Sequence, residues 1–344
     1  MAKERSYLFD TFRGLLIWSI PISHFTRVGG DFSQGSLSGV VYITINVFVM
    51  QAFMFLSGYF SKKPDRARES AFKTFMLPYL IFTFVFYLFR YAYFGRANLD
   101  FLTPPFALWF LFAVFFYRFF LKDLIKIPHI LAISFIVYIF AGQISYFSSF
   151  LALGRVVSYF PFFMLGYYCT SERLAKIQTL KKWQSAILGV LLITVSYILA
   201  FYVKVPVGFY LLKTTAAAIG IEWYIDILMR ILIIVLTCGW LVFMFNILPK
   251  TNNYLTYIGN NTMPVYIFHL FIRYIIEDYG FPNGNPVVYY LCVFGAASLC
   301  VVVFSSPPIA KVYDAFVEAF YKVYLFFKRP LMRLLRIDKK IKKG

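Results

Sequence analysis

Ten times along this chain an apolar stretch approaches or reaches the ~20 residues that an α-helix needs to cross a hydrocarbon core. The stretches lie near residues 8 to 26, 38 to 60, 72 to 92, 105 to 121, 129 to 149, 155 to 170, 183 to 203, 224 to 247, 262 to 278 and 286 to 309. The shortest of them is the one at 155 to 170. Composition agrees with lipid as the solvent, since 61% of residues are hydrophobic, only 14% are charged and the mean hydropathy is +0.72. The predicted fold is therefore all-α: a polytopic membrane helical bundle of about ten transmembrane helices. The 22% aromatic content suits lipid-facing surfaces and interfacial belts. Nucleic-acid binding is excluded, because the basic residues fall between apolar runs and do not form a groove with stacking platforms.

The formal charge of +19 follows from the connections between spans. Lys3 and Arg5 precede the first span, and Lys62, Lys63, Arg66, Arg68 and Lys73 follow the second. Arg118, Lys122 and Lys126 follow the fourth, Arg173, Lys176, Lys181 and Lys182 the sixth, Lys250 the eighth, and ten Lys or Arg lie from Lys311 onward. The alternate connections carry far fewer: Arg27, Arg90, Arg96, Arg155, Lys204 and Lys213. The positive-inside rule then predicts a multi-pass protein of the inner or plasma membrane with both termini cytoplasmic, which requires an even number of spans. His24 and Arg27 occupy the place where a signal-peptide cleavage site would fall, so the first apolar run reads as an uncleaved helix. Residues 1–310 form the transmembrane domain. Residues 311–344 read as a basic amphipathic tail on the anionic cytoplasmic leaflet, with Phe316, Phe320, Tyr324 and Phe327 at helical spacing and a break at Pro330. Cys169, Cys238, Cys292 and Cys300 are irregularly spaced within or at the ends of spans, the pattern of buried thiols and not of a disulfide framework or metal cluster.

Ionisable residues at membrane depth are costly and point to function unless they merely satisfy a neighbouring helix. Arg13 and His24 are the leading pair. Eleven residues turn a helix through about three full turns with ~20° left over, so both side chains share one stripe, roughly 16 Å apart. Asp10, one turn before Arg13, either orients its guanidinium or forms an interfacial i,i+3 ion pair. Pro21 removes a helix bond close to His24. Glu222, Asp226 and Arg230 recur at i, i+4 and i+8 at the start of the eighth span, where they bind a sugar acceptor, position a water-filled vestibule or form a structural salt bridge. Arg155, at the start of the sixth span, faces the same vestibule. His269 and Arg273 lie one turn apart in the ninth span and read as interhelical bonding, and Asn46 and Gln51 in the second supply either site or packing hydrogen bonds.

Several segments, in order, resemble one family. YLFDTFRGLLIWSIPISH opens the chain with an Arg, ten residues, then His; FMFLSGYFSKK, FKTFMLPYLIF, LWFLFAVFF, YFPFFMLGYY and IGNNTMPVYIFH follow. Together they are similar to the acyltransferase type 3 family of membrane acyltransferases, particularly its fucose 4-O-acetylase-like branch. The resemblance covers residues 1 to about 310. It implies a ten-helix core that moves an acyl group from cytoplasmic acyl-coenzyme A to a hydroxyl of a glycan or lipid-linked sugar on the far side. Many relatives carry a basic pair at the start of the third span, whereas here Lys73 is followed by Thr74.

The residues suit that chemistry. Arg13, at the inner end, can hold donor phosphate through charge-assisted bonds, with Asp10 and Lys73 beside the donor. A pantetheine arm is about as long as the Arg13 to His24 separation, which brings the thioester to His24 as general base. Glu222, Asp226 and Arg155 then fall to the acceptor. The sequence thus predicts an acyl-CoA-dependent O-acyltransferase, with acetyl-CoA or another acyl-CoA as donor, no metal, and a polysaccharide or lipid-linked glycan as acceptor. The rival reading is a secondary transporter or glycan exporter, which ten helices and an intramembrane ionisable pair also fit.

Overall fold

The computed structural model describes residues 7–30, 32–144, 150–203, 205–213 and 215–334. Lys3, Arg5, Lys204 and the basic residues beyond Leu334 lie outside the described residues. Among those described the chain is all-helical, without a strand. The helices are α1 (Tyr7–Val28), α2 (Leu37–Asn46), α3 (Val49–Tyr59), α4 (Pro64–Ala71), α5 (Leu77–Phe94), α6 (Trp109–Leu124), α7 (Ile130–Phe140) and α8 (Leu153–Tyr168). They continue as α9 (Ser171–Ile177), α10 (Lys182–Phe201), α11 (Trp223–Ile247), α12 (Tyr254–Asn260), α13 (Thr262–Tyr279), α14 (Pro286–Phe304) and α15 (Pro307–Leu334). Among the described residues five helical segments are long and apolar enough to cross a membrane: Leu37–Tyr59, Pro64–Phe94, Lys182–Phe201, Trp223–Ile247 and Pro286–Phe304.

Helix α1 is the axis of the bundle. Leu8, Phe12, Leu16, Ile17, Ile20 and Phe25 are buried on different sides of it, as expected of a helix apolar all round, and it packs against α2, α3, α12, α13 and α14. Its first half meets α12 backbone to backbone. A Cβ on Gly14 would stand 2.0 Å from the Leu255 carbonyl oxygen, and one on Gly259 would stand 1.8 Å from that of Asp10. Small residues permit this approach, the usual device where helices pack without a hydrophobic driving force. Beside the seam, Asn253 Nδ2 donates to Thr11 Oγ1 at 3.0 Å, and the Thr11 and Thr256 hydroxyls lie 3.2 Å apart. A second seam joins α3 to α8 through Gly58 and Gly166, where added Cβ atoms would each meet a backbone oxygen at 1.9 Å.

The second apolar stretch is broken in the middle. Its two halves, α2 and α3, are joined by Val47 and Phe48, the latter with φ −140° and ψ −30°. The carbonyls released at the break find side-chain partners, as backbone at membrane depth requires. Thr237 Oγ1 donates to the Val47 oxygen at 2.8 Å and Gln51 Nε2 to the Asn46 oxygen at 3.3 Å. In the second half of the chain Asn261 separates α12 from α13, but α13 alone keeps 18 residues.

The fifth apolar stretch forms a shorter helix than its length suggests, since α7 ends at Phe140 and gives way to one 3-10 turn, Ala141–Gln143. In the tail, the helix does not break at Pro330 but runs through it to Leu334. The carbonyl freed four residues earlier belongs to Phe326, an exposed residue, where an outside partner can satisfy it. One side of α15 docks on the bundle, with Tyr313 stacked on Phe82 at 6.0 Å and Tyr324 against Phe72 at 4.3 Å. Val312, Phe316, Phe320, Val323 and Phe327 remain exposed on it.

Candidate active site

His24 and His269 meet across α1 and α13. His24 Nδ1 lies 2.9 Å from His269 Nε2, the rings stacked at 5.1 Å. His269 is fully buried, and its Nδ1 lies 2.8 Å from the Val265 carbonyl oxygen. A carbonyl cannot donate, so His269 carries its proton on Nδ1, and in the neutral ring Nε2 is an acceptor. His24 must then donate from Nδ1. The chain of bonds leaves the lone pair of His24 on Nε2, the arrangement a general base requires.

His24 lines a cavity of about 720 Å³, within the ~300–1,000 Å³ range of ligand pockets. Its walls are the ends of α1, α5 and α13, the start of α8, the broken second span at Asn46 and Val49, and the loop before α6. Asn46 Nδ2 donates to Ser23 Oγ at 2.9 Å, tying the break to α1 one residue from His24. Phe106, in the loop, lies at the centre of the wall. Its ring meets His24 at 5.0 Å and the Arg273 guanidinium at 4.2 Å, and its carbonyl accepts from Arg155 Nη1 at 3.4 Å. Its φ is +37°, a left-handed conformation costing roughly 1–3 kcal/mol that is kept where surrounding contacts over-determine it, often at functional sites.

The other residues expected at the site divide into groups. Arg155 lines the cavity; Glu222 and Asp226 do not. Glu222 is the exposed residue that begins α11. Asp226 is buried. One of its oxygens accepts from Arg230 Nε at 3.0 Å and the other from Gln143 Nε2 at 2.7 Å, while Arg230 Nη1 reaches the Tyr138 carbonyl at 3.2 Å and Ser158 Oγ at 3.3 Å. These bonds join α7, α8 and α11 in one buried network. Asp10 and Arg13 come together as an ion pair at the opposite end of α1 from His24, and Arg13 also lies over the Phe60 ring at 5.8 Å. The Arg13 Nε is buried without a hydrogen-bond partner, a donor left for another group. Lys73 is drawn elsewhere: it is exposed, paired with Glu318 of α15 at 2.6 Å and placed over Tyr321 at 4.8 Å. His269 is the residue whose link to His24 the sequence did not reveal; the signal available was that both histidines lie inside apolar stretches and not at the edge of one, as His129 does.

A membrane-embedded helical bundle with a histidine pair at a polar cavity, and a guanidinium at the far end of the same helix, is suited to catalysis of group transfer. The family model described as an acyltransferase domain matches residues 7–306. The chain belongs to the acyltransferase 3 family and is a membrane acyltransferase. No curated protein and no solved structure matches it in the corresponding comparisons.

Proposed function

We propose that the protein transfers an acyl group, acetyl in the first instance, from cytoplasmic acyl-coenzyme A to a hydroxyl of a cell-surface polysaccharide or lipid-linked glycan on the opposite side, in the manner of the fucose 4-O-acetylase-like branch. The observation that carries the reading is the bond from His24 Nδ1 to His269, which leaves Nε2 basic on a side chain lining the cavity. The acceptor hydroxyl loses its proton to His24 Nε2 as its oxygen attacks the thioester carbon. The C–S bond then breaks, and the imidazolium returns the proton to the departing thiolate. An ester and free coenzyme A result. Arg13, held by Asp10, takes a donor phosphate through its remaining N–H groups, the planar fork suiting that partner.

The sidedness rests on ten spans with both termini in the cytoplasm, the topology that the loop charges favour. Residues 1–310 then form the catalytic domain, and the tail lies along the anionic leaflet with its unpacked phenylalanines in lipid. Oriented vesicles test the whole reading. Acetyl-CoA supplied on the cytoplasmic side should acylate glycan confined to the other side and leave coenzyme A behind, and His24→Ala should abolish transfer with donor binding intact. Movement of unmodified glycan would establish an exporter, and normal acylation by His24→Ala would remove that histidine from the mechanism.

A further inference from the structure

We infer that the cavity beside His24 holds an anionic group of the acceptor, a sugar carboxylate or the phosphate of a lipid-linked sugar, so that neutral glycans are not its substrates. The inference rests on the reading of His24 as the residue that meets the acceptor. Arg27, Arg90, Arg155, Lys213 and Arg273 all line this one cavity, against a single carboxylate, Asp100. Asp100 is occupied with its own loop, accepting from the Leu102 and Thr103 amides at 2.7 and 3.1 Å. Among the described residues only Arg273 of the five has a carboxylate partner, Glu277 at 2.7 Å, and its buried Nε has no hydrogen-bond partner.

The geometry readies these groups for an anion. Three guanidiniums sit over rings: Arg27 over Phe32 at 4.3 Å, Arg155 over Trp109 at 4.8 Å and Arg273 over Phe106 at 4.2 Å. Contact through the ring face leaves edge donors of Arg27 and Arg155 for a carboxylate or phosphate, and of Arg273 the Nε alone, since its Nη1 and Nη2 both donate to Glu277. Like charges confined by low-dielectric walls repel, and an anion between them relieves the repulsion. At Lys213, burial and then the Arg155 guanidinium hold the ammonium below its ordinary pKa. A neutral sugar would leave those cations uncompensated.

Titration of the purified full-length protein tests this, following tryptophan fluorescence, since Trp109 lies beneath Arg155. Sodium pyrophosphate mimics the lipid-linked phosphate, glucuronate the sugar acid, and glucose the neutral control. Saturable binding is expected for one or both anions and none for glucose, and the anion that binds identifies the source of the charge. Arg155→Gln should weaken binding at least tenfold, and Lys213→Gln, at a residue outside the helices, should weaken it where the first variant fails to fold. Lys176→Gln, an exposed residue of α9 outside the cavity, should leave it unchanged. Absence of saturable anion binding, or binding indifferent to both cavity substitutions, overturns the inference. So does displacement of the anion by coenzyme A, which would assign the cavity to the donor. Anion binding without acyl transfer in the oriented vesicles would instead refute the transferase reading and leave the site standing.

Discussion

His269→Phe keeps a ring of similar size in α13 but removes the acceptor that fixes His24. The Nδ1–H of His24 then loses its 2.9 Å partner on the side that faces α13, away from the cavity lone pair. Leaving a buried donor unsatisfied costs about 1–3 kcal/mol. If that cost falls on the state in which His24 is oriented as a base, the rate falls about 5- to 150-fold at 1.36 kcal/mol per decade. Under the proposed function Arg13 holds the donor, so the loss should appear in kcat with little change in KM for acyl-coenzyme A. His269→Gln, whose side-chain oxygen accepts the same bond, should recover part of it. The assay is steady-state release of coenzyme A by detergent-purified protein at saturating acceptor, with thermal unfolding followed in parallel. Wild-type kcat in a normally folded His269→Phe protein would refute the tautomer reasoning. Equal losses for Phe and Gln would assign the effect to packing.

Arg13→Lys should raise the KM for acyl-coenzyme A while sparing kcat, since a point ammonium cannot reproduce a planar fork; unchanged donor affinity by titration would move Arg13 out of the donor site. Arg230→Ala strands the buried Asp226 carboxylate and should destabilise the fold by roughly 3–5 kcal/mol, read as a loss of stability in denaturant without any specific effect on donor binding. Acid should loosen the tail from the bundle. The Lys73 ammonium, through its hydrogen bond, holds the Glu318 carboxyl below its ordinary value of 4.5, so the contribution of this pair is present above pH 4.5 and is lost as pH falls through the depressed pKa. The pair is exposed, so salt should weaken it too; a distance probe between α5 and α15 that ignores both pH and salt would count against it.

What could be read in advance depended on how far apart the interacting residues lie in the chain. Asp10 and Arg13 pair because they are three residues apart on one helix, a relation that periodicity reveals. His24 and His269 are 245 residues apart, and no local pattern joins them. Arg155 was expected at a vestibule, but Arg27, Arg90 and Lys213 looked like ordinary loop charges until the fold closed them round one cavity. Asp226 and Arg230 were visible as a helical stripe, yet their burial depends on Gln143, Tyr138 and Ser158 from other segments. The break in the second span had no Gly or Pro at Val47 and Phe48 to announce it. Its polar neighbours Asn46 and Gln51 were the available sign. The same limit applies to Phe106, whose left-handed backbone and contacts with His24, Arg155 and Arg273 no local pattern announces.

The two glycine seams give the molecule unequal stiffness along its length. Backbone packed against backbone at Gly14 and Gly259 leaves α1 no room to shift beside Arg13. Beside His24 the same helix borders open volume and a loop held in a strained shape. Amide exchange should slow toward the Gly14 end and quicken toward Val28, which under the proposed function lets the acceptor side admit bulky, varied molecules while Arg13 keeps its grip on the donor.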